Sequence, residues 1–291
     1  LNSVARRISI IGVFDKELVT ILVVLILGLF SECLPGQARP SSLAAPSLAE
    51  IVSMGEEELA TLPIEILSLR CAEGLPGAEN LEIPAHLSTL DRWTELVRQE
   101  TDKYFWKFQQ KPEAFKNSEG YYRMLAMVTV LMRDLGNGYN LDLDKEDIPD
   151  QVFYADARDI TLHGLLQRQM GTCASMPVLY VAIGRRLGYP VFLIRAKQHL
   201  FVRWQDKNES FNVEATNSGM NTYPDEYYHT WPKPLSSGEL VSGEYLSPLR
   251  PRQELSAFLM LRRLCFAANK RYSEAEDTYI LSQKVTKIRR N

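Results

Sequence analysis

The sequence contains no Cys-x-x-Cys pair, no strong excess of either charge and no uncharged apolar run of bilayer length. Its four cysteines, at 33, 71, 173 and 265, are too few and too scattered for a disulfide framework or a structural zinc site. No metal and no cofactor is expected, and each thiol has to be judged by its own surroundings. The net charge of −3 offers no basic surplus to neutralise phosphates, which argues against a nucleic-acid partner. The basic tail Lys284, Lys287, Arg289 and Arg290 is short and reads as a solvated end. The acidic stretch Asp142, Asp144, Glu146 and Asp147 lacks the turn glycine of a calcium loop, and Phe153 stands where the bidentate Glu belongs.

What is present describes an ordinary globular chain. Of its 291 residues 45% are hydrophobic and 24% charged, enough apolar surface for a core without disulfides. Residues 18–30 form an uncharged apolar run, shorter than the about 20 residues a spanning helix needs. Arg6, Arg7 and Lys16 precede it, and Gly36 and Ala38 follow with the spacing of a cleavage site. Residues 1–38 therefore read as a signal peptide removed near Ala38, or as an uncleaved membrane anchor. Either reading makes the protein exported or membrane-anchored, on the periplasmic or extracellular side, touching the membrane only through this segment. Residues 39–55, rich in Pro, Ser and Ala at the start, read as a linker.

Helical periodicity follows. Residues 56–73 carry Leu59, Leu62, Ile66 and Leu67 at helical steps, interrupted by Pro63. A second helix is expected from Leu87 to Gln110 and a third from Glu119 to Leu135, capped by Ser118 and stopped by Gly136. Past 170 the pattern changes. A short helix over 178–187 precedes three strand-like runs, 191–195, 200–204 and 211–216, which implies an antiparallel sheet and an α+β domain. Residues 217–250 are irregular but aromatic, so they read as ordered and functional, with Tyr223, Tyr228 and Trp231 as substrate-groove candidates. Two helices return after Arg252.

One constellation carries chemistry. Cys173 lies just before the apolar helix, and Pro177 fixes that helix start close to it. A thiol there meets the positive end of the helix dipole, which favours the thiolate. Gly171 is expected to leave access to the sulfur. A thiolate nucleophile needs a base, and His199 opens the second strand. The base needs an orienting acceptor, and Glu214 ends the third strand. Asn212 is the alternative orienting group; His163, His229 and His86 are weaker rivals for the base. Gln167 or Gln169 is a candidate oxyanion donor beside the Cys173 N–H. Cys71 and Cys265 fall on apolar helix faces and read as core.

Here the sequence resembles a known group. A Cys heading a helix, a His opening a strand and an acid ending the next is the order of the transglutaminase-like superfamily, and Asn212-Val213-Glu214-Ala215-Thr216 is similar to its Asn-Ile-Asp-Pro-Thr motif. Residues 179–190 and His199-Leu200-Phe201-Val202-Arg203 resemble the SirB1-type branch in particular. The resemblance implies a papain-like core over 56–250: a helical N-terminal part, then a Cys-bearing helix packed on an antiparallel sheet. It also implies thiol acyl transfer through a thioester, by a peptidase, amidase or transamidase acting on a peptide or protein amide. A catalytically silent binding or scaffold protein of the same fold is the alternative. Residues 251–291 form an expected helical hairpin, in which Tyr272-Ser273-Glu274-Ala275 with Tyr279 and Ser282 is similar to a tetratricopeptide unit and suits a protein partner.

Overall fold

Local signals set most helix boundaries. Helix α1 (Leu48–Ser53) starts where the Ser47 side chain accepts from the Glu50 N–H and the Glu50 carboxylate accepts from the Ser47 N–H. It buries Ile51 and Val52, so this part of the expected linker is helical and docked. Pro63 separates α2 (Glu56–Thr61) from α3 (Ile64–Ala72), whose residues are buried almost all round. Helix α4 (Ile83–Lys103) has Pro84 in its first turn and so begins before Leu87, turning Leu90, Trp93 and Val97 inward. A break at Tyr104 detaches α5 (Phe105–Gln110), so the helix expected to reach Gln110 is two helices. Helix α6 (Glu119–Thr129) is capped by Ser118, continues as a π-helical turn over Val130–Asp134, and stops at Gly136, whose φ of +72° is left-handed.

A two-residue strand β1 (Gly138–Tyr139) pairs in parallel with β2 (Met170–Gly171). Between them lie α7 (Asp150–Phe153), α8 (Ala157–Ile160) and α9 (Leu162–Arg168). Next come α10 (Met176–Arg186) and an antiparallel sheet of β3 (Val191–Ala196), β4 (His199–Gln205) and β5 (Ser210–Val213), in that order. Ala196 pairs with His199, Ile194 with Phe201 and Arg203 with Asn212. Short helices α11 (Asp225–Tyr228) and α12 (Ser237–Val241) punctuate the aromatic segment, and α13 (Pro251–Ala268) with α14 (Tyr272–Lys287) forms the C-terminal hairpin. The result is the expected α+β arrangement: helices, a small sheet and a closing helical pair. The computed structural model describes residues 45–143, 148–216 and 218–287, and from Pro46 onward the chain packs as one unit. Residues 18–30, Gly36 and Ala38 lie outside the described residues, as do Asp144, Glu146 and Asp147. Among the described residues no helix is long and apolar enough to cross a membrane, and no cluster of metal-ligating side chains occurs.

The helix that follows Cys173 is held from three directions. At Gly184 it approaches β3 so closely that a Cβ would lie 2.6 Å from Val191 Cγ2. Its last turn carries two arginines, favourably placed at the negative end of the dipole. Arg185 Nη2 donates to the buried Glu254 of α13 at 2.6 Å. Arg186 Nε donates to the buried Glu65 of α3 at 3.0 Å. The C-terminal hairpin is therefore part of the same core as α10 and not an appended module.

Removing one partner of a buried ion pair costs about 3–5 kcal/mol, whereas replacing both by apolar groups is often nearly neutral. Arg186→Met leaves the buried Glu65 carboxylate without this charge and is expected to lower stability by about that amount. Urea unfolding should show most of the loss recovered in the double variant Arg186→Met/Glu65→Leu. Equal loss in single and double variants contradicts the role given to the pair.

Candidate functional site

Cys173 sits in a turn that runs directly into α10. The Thr172 N–H donates to Ser175 Oγ at 3.0 Å, and the Ser175 and Met176 N–H groups donate to the Thr172 carbonyl at 3.1 and 3.0 Å. The Thr172 hydroxyl donates to the Asp159 carbonyl at 2.8 Å, which pins the turn to α8. Cys173 thus precedes the first helical residue, Met176, by one turn, and Pro177 occupies the first turn. Gly171 has a different job from the expected one. A Cβ there would lie 2.6 Å from Leu165 Cδ1 and 2.8 Å from Met176 Cγ, so it allows close packing and does not open a path to the sulfur. Cys173 is buried, with 5% of the residue exposed. Tyr154 is its neighbour: burial pushes the Tyr154 phenol up, and the charge of Cys173 adds to the effect.

His199 and Glu214 meet. His199 is the first residue of β4, and Glu214 directly follows β5, where it bridges to Asn221. His199 Nε2 lies 2.9 Å from Glu214 Oε2, with the two side chains 3% and 2% exposed. Glu214 is saturated with donors. The Tyr228 hydroxyl also donates to Oε2, at 3.0 Å, while the Thr216 N–H and hydroxyl donate to Oε1 at 3.1 and 2.9 Å. A buried carboxylate is tolerated only when its lone pairs are filled in this way. Tyr228 and Thr216 were not foreseen as supports for the acid. Thr216 falls two residues after it, the reach of a local side-chain-to-backbone motif, and this was the available signal.

Burial by itself would lower the His199 pKa. The charge of Glu214, the influence of Cys173 and the hydrogen bond to Glu214 outweigh it and push the imidazole up to about 10. Glu214 moves the other way. Burial raises it, but the charge and hydrogen bond of His199 and the donors of Thr216 hold it below the usual carboxylate range. Nε2 is engaged by Glu214, and among the described residues no hydrogen bond joins His199 to Cys173.

The other sequence candidates have other partners. Asn212 Oδ1 accepts from Arg203 Nε at 2.7 Å, and its Nδ2 donates to the Tyr223 carbonyl and Asp225, so it does not orient His199. Gln169 adopts the left-handed conformation at the end of α9 and donates its amide to the Leu135 carbonyl at 2.7 Å. Gln167 is exposed on the last turn of that helix. Neither amide is committed to Cys173. Tyr228 is fully buried and stacks on Phe201 at 3.9 Å, so it is part of the site's floor and not a groove wall. Tyr223 and Trp231 are half-buried, and Trp231 stands edge-on to His199 with ring centroids 4.6 Å apart. His163 contacts Thr161 Oγ1 and the Gly77 carbonyl, and burial pulls it down to about 4. His86 Nδ1 contacts the Glu82 carbonyl, and His229 caps α11. Cys71 and Cys265 are core thiols, each pushed up to about 12 chiefly by burial.

The raised His199 sets a pH window. A group held above its unfolded value of 6.5 contributes stability that is complete below 6.5 and lost as the pH rises through about 10. Glu214, held below 4.5, contributes stability that is present above that value and lost as the pH falls through its depressed pKa. In an NMR titration the His199 imidazole should therefore stay protonated through neutrality and titrate near 10. In Glu214→Gln burial acts without the opposing charge, and the titration should fall below 6.5. A midpoint that does not respond to Glu214→Gln contradicts the assignment.

A family model for the transglutaminase-like superfamily matches residues 85–260, a span from within α4 to the middle of α13 that includes the Cys173 turn and the whole three-stranded sheet. Comparison with curated proteins and with solved structures found no match. The match covers well over half of the chain, and the helix–strand–strand order around Cys173, His199 and Glu214 falls inside it: the chain belongs to the transglutaminase-like superfamily.

Proposed function

We propose that the protein is a cysteine acyl-transfer enzyme that uses Cys173 as nucleophile, His199 as base and acid, and Glu214 as the group that orients and charges His199. The observation that carries this reading is the buried His199–Glu214 pair at 2.9 Å, inside the family match that also contains the Cys173 turn. An imidazolium next to a thiol favours the ion pair, because its positive charge stabilises the thiolate.

The chemistry follows from that pair. The thiolate attacks the acyl carbon of a peptide or protein amide, and the carbonyl π electrons move onto oxygen. As the tetrahedral intermediate collapses, the C–N bond breaks and the imidazolium gives its proton to the departing amine. This leaves a thioester on Cys173 and a neutral His199. Water or a second amine then attacks the thioester and passes its proton to His199, and the thiolate leaves. The first acceptor gives hydrolysis and the second gives transamidation. The Cys173 N–H, in the turn before α10, is the backbone candidate for the oxyanion. Residues 179–190 favour the SirB1-type branch, and the likeness of the C-terminal helices to a tetratricopeptide unit favours a protein partner at α13 and α14. The apolar run 18–30 favours action outside the cytoplasm.

A second reading is supported by burial: with Cys173 only 5% exposed, the chain suits a silent binding protein that keeps the fold. Turnover separates the two. The protein is to be incubated with a glutamine-containing peptide, with and without a primary amine, and ammonia release and amine incorporation measured. Cys173→Ala and His199→Ala should each lower either rate by at least about 100-fold, the scale of general acid–base and nucleophilic contributions. Turnover that survives Cys173→Ala contradicts the enzymatic assignment.

A further inference from the structure

We infer that Trp231 is a gate over the His199 end of the site, and that access to Cys173 requires its side chain to swing out. This deepens the thiol reading and rests on it. The imidazole side chain is 3% exposed and the Cys173 residue 5%, so neither group meets solvent in this conformation. Trp231 is half-buried and stands edge-on to His199, with Tyr227 and Tyr228 also against its ring. Of the two rings against His199, Tyr228 is buried and Trp231 is the one that reaches partly into solvent.

The segment that carries Trp231 is a strap fastened at both ends. At its start Arg203 binds Asp225, and Asn212 Nδ2 donates to Asp225 Oδ1 at 2.8 Å. At its end Lys197 Nζ pairs with Glu239 at 3.0 Å. Within the strap the two inward aromatics are held differently. Tyr228 is fully buried and hydrogen-bonded to Glu214, so it cannot leave without stranding a buried carboxylate. The Trp231 indole N–H donates to no group among the described residues, and its side chain is held by ring contacts with His199, Tyr227 and Tyr228 and by apolar packing on the cluster of Ile194, Ala196, Phe201 and Tyr228. Ring contacts can break without orphaning a polar group. The strap can thus open at Trp231 while Tyr228 keeps Glu214 and His199 in place.

Alkylation of native protein by iodoacetamide at neutral pH, read for each cysteine by peptide mass spectrometry, tests the gate. Cys71 and Cys265, at 3% and 0% exposure, serve as internal references for general loosening. Trp231→Ala should raise the labelling rate at Cys173 at least tenfold with no change at the two references. Trp231→Phe, which keeps a ring beside His199 and disturbs packing less, should give an intermediate rate. A Cys173 rate that does not rise in either variant, or that rises only in step with Cys71 and Cys265, overturns the inference. Labelling reports access and not turnover, so this result is independent of whether a peptide amide proves to be the substrate.

Discussion

The site is organised around one buried charge pair. Glu214 lies almost wholly out of water, yet the charge and hydrogen bond of His199 and the two donors of Thr216 hold its pKa down, and the Tyr228 hydroxyl supplies a fourth hydrogen bond to its oxygens. A carboxylate removed from water is costly unless every lone pair is filled and a positive charge is near. Each of those donors therefore constrains an element. His199 fixes the start of β4, Thr216 fixes the exit of β5, and Tyr228 fixes the aromatic strap against the sheet. The same pair keeps the imidazole charged at neutral pH, which is the condition a neighbouring thiol needs for ionisation.

The thiol side of the site has its own scaffold. The Cys173 turn is tied to α8 by Thr172, and the helix after it is tied to α3 and α13 by Arg186 and Arg185. These ties join the N-terminal helices, the C-terminal hairpin and the sheet to a single rigid element. The C-terminal helices bury Glu254 against Arg185 and so take part in positioning α10.

Local chemistry made part of this legible in the sequence. The Ser118 cap, the Gly136 stop and the order of helix, His strand and acid strand rest on neighbours in the chain, and all are present in the fold. The meeting of His199 with Glu214 followed from strand order, since an antiparallel hairpin brings the start of β4 beside the end of β5. What escaped was set by partners distant in sequence. Tyr228 is an aromatic in a segment without periodicity, so nothing local told its inward turn from the outward one expected of a groove wall. Asn212 was a plausible orienter by type, but Arg203 and Asp225 claim its side chain. Gln169 is spent on the carbonyl of Leu135. The helix at 48–53 was hidden by composition, although its Ser47–Glu50 box is a sequence signature.

The central claim is that Cys173 carries the acyl group with His199 beside it. Intact-protein mass spectrometry after brief exposure to an activated acyl ester tests this most directly. The account predicts a single acyl adduct on Cys173 that hydroxylamine removes and that Cys173→Ala and His199→Ala fail to form. An adduct on another residue, or one that forms equally well in His199→Ala, would contradict it.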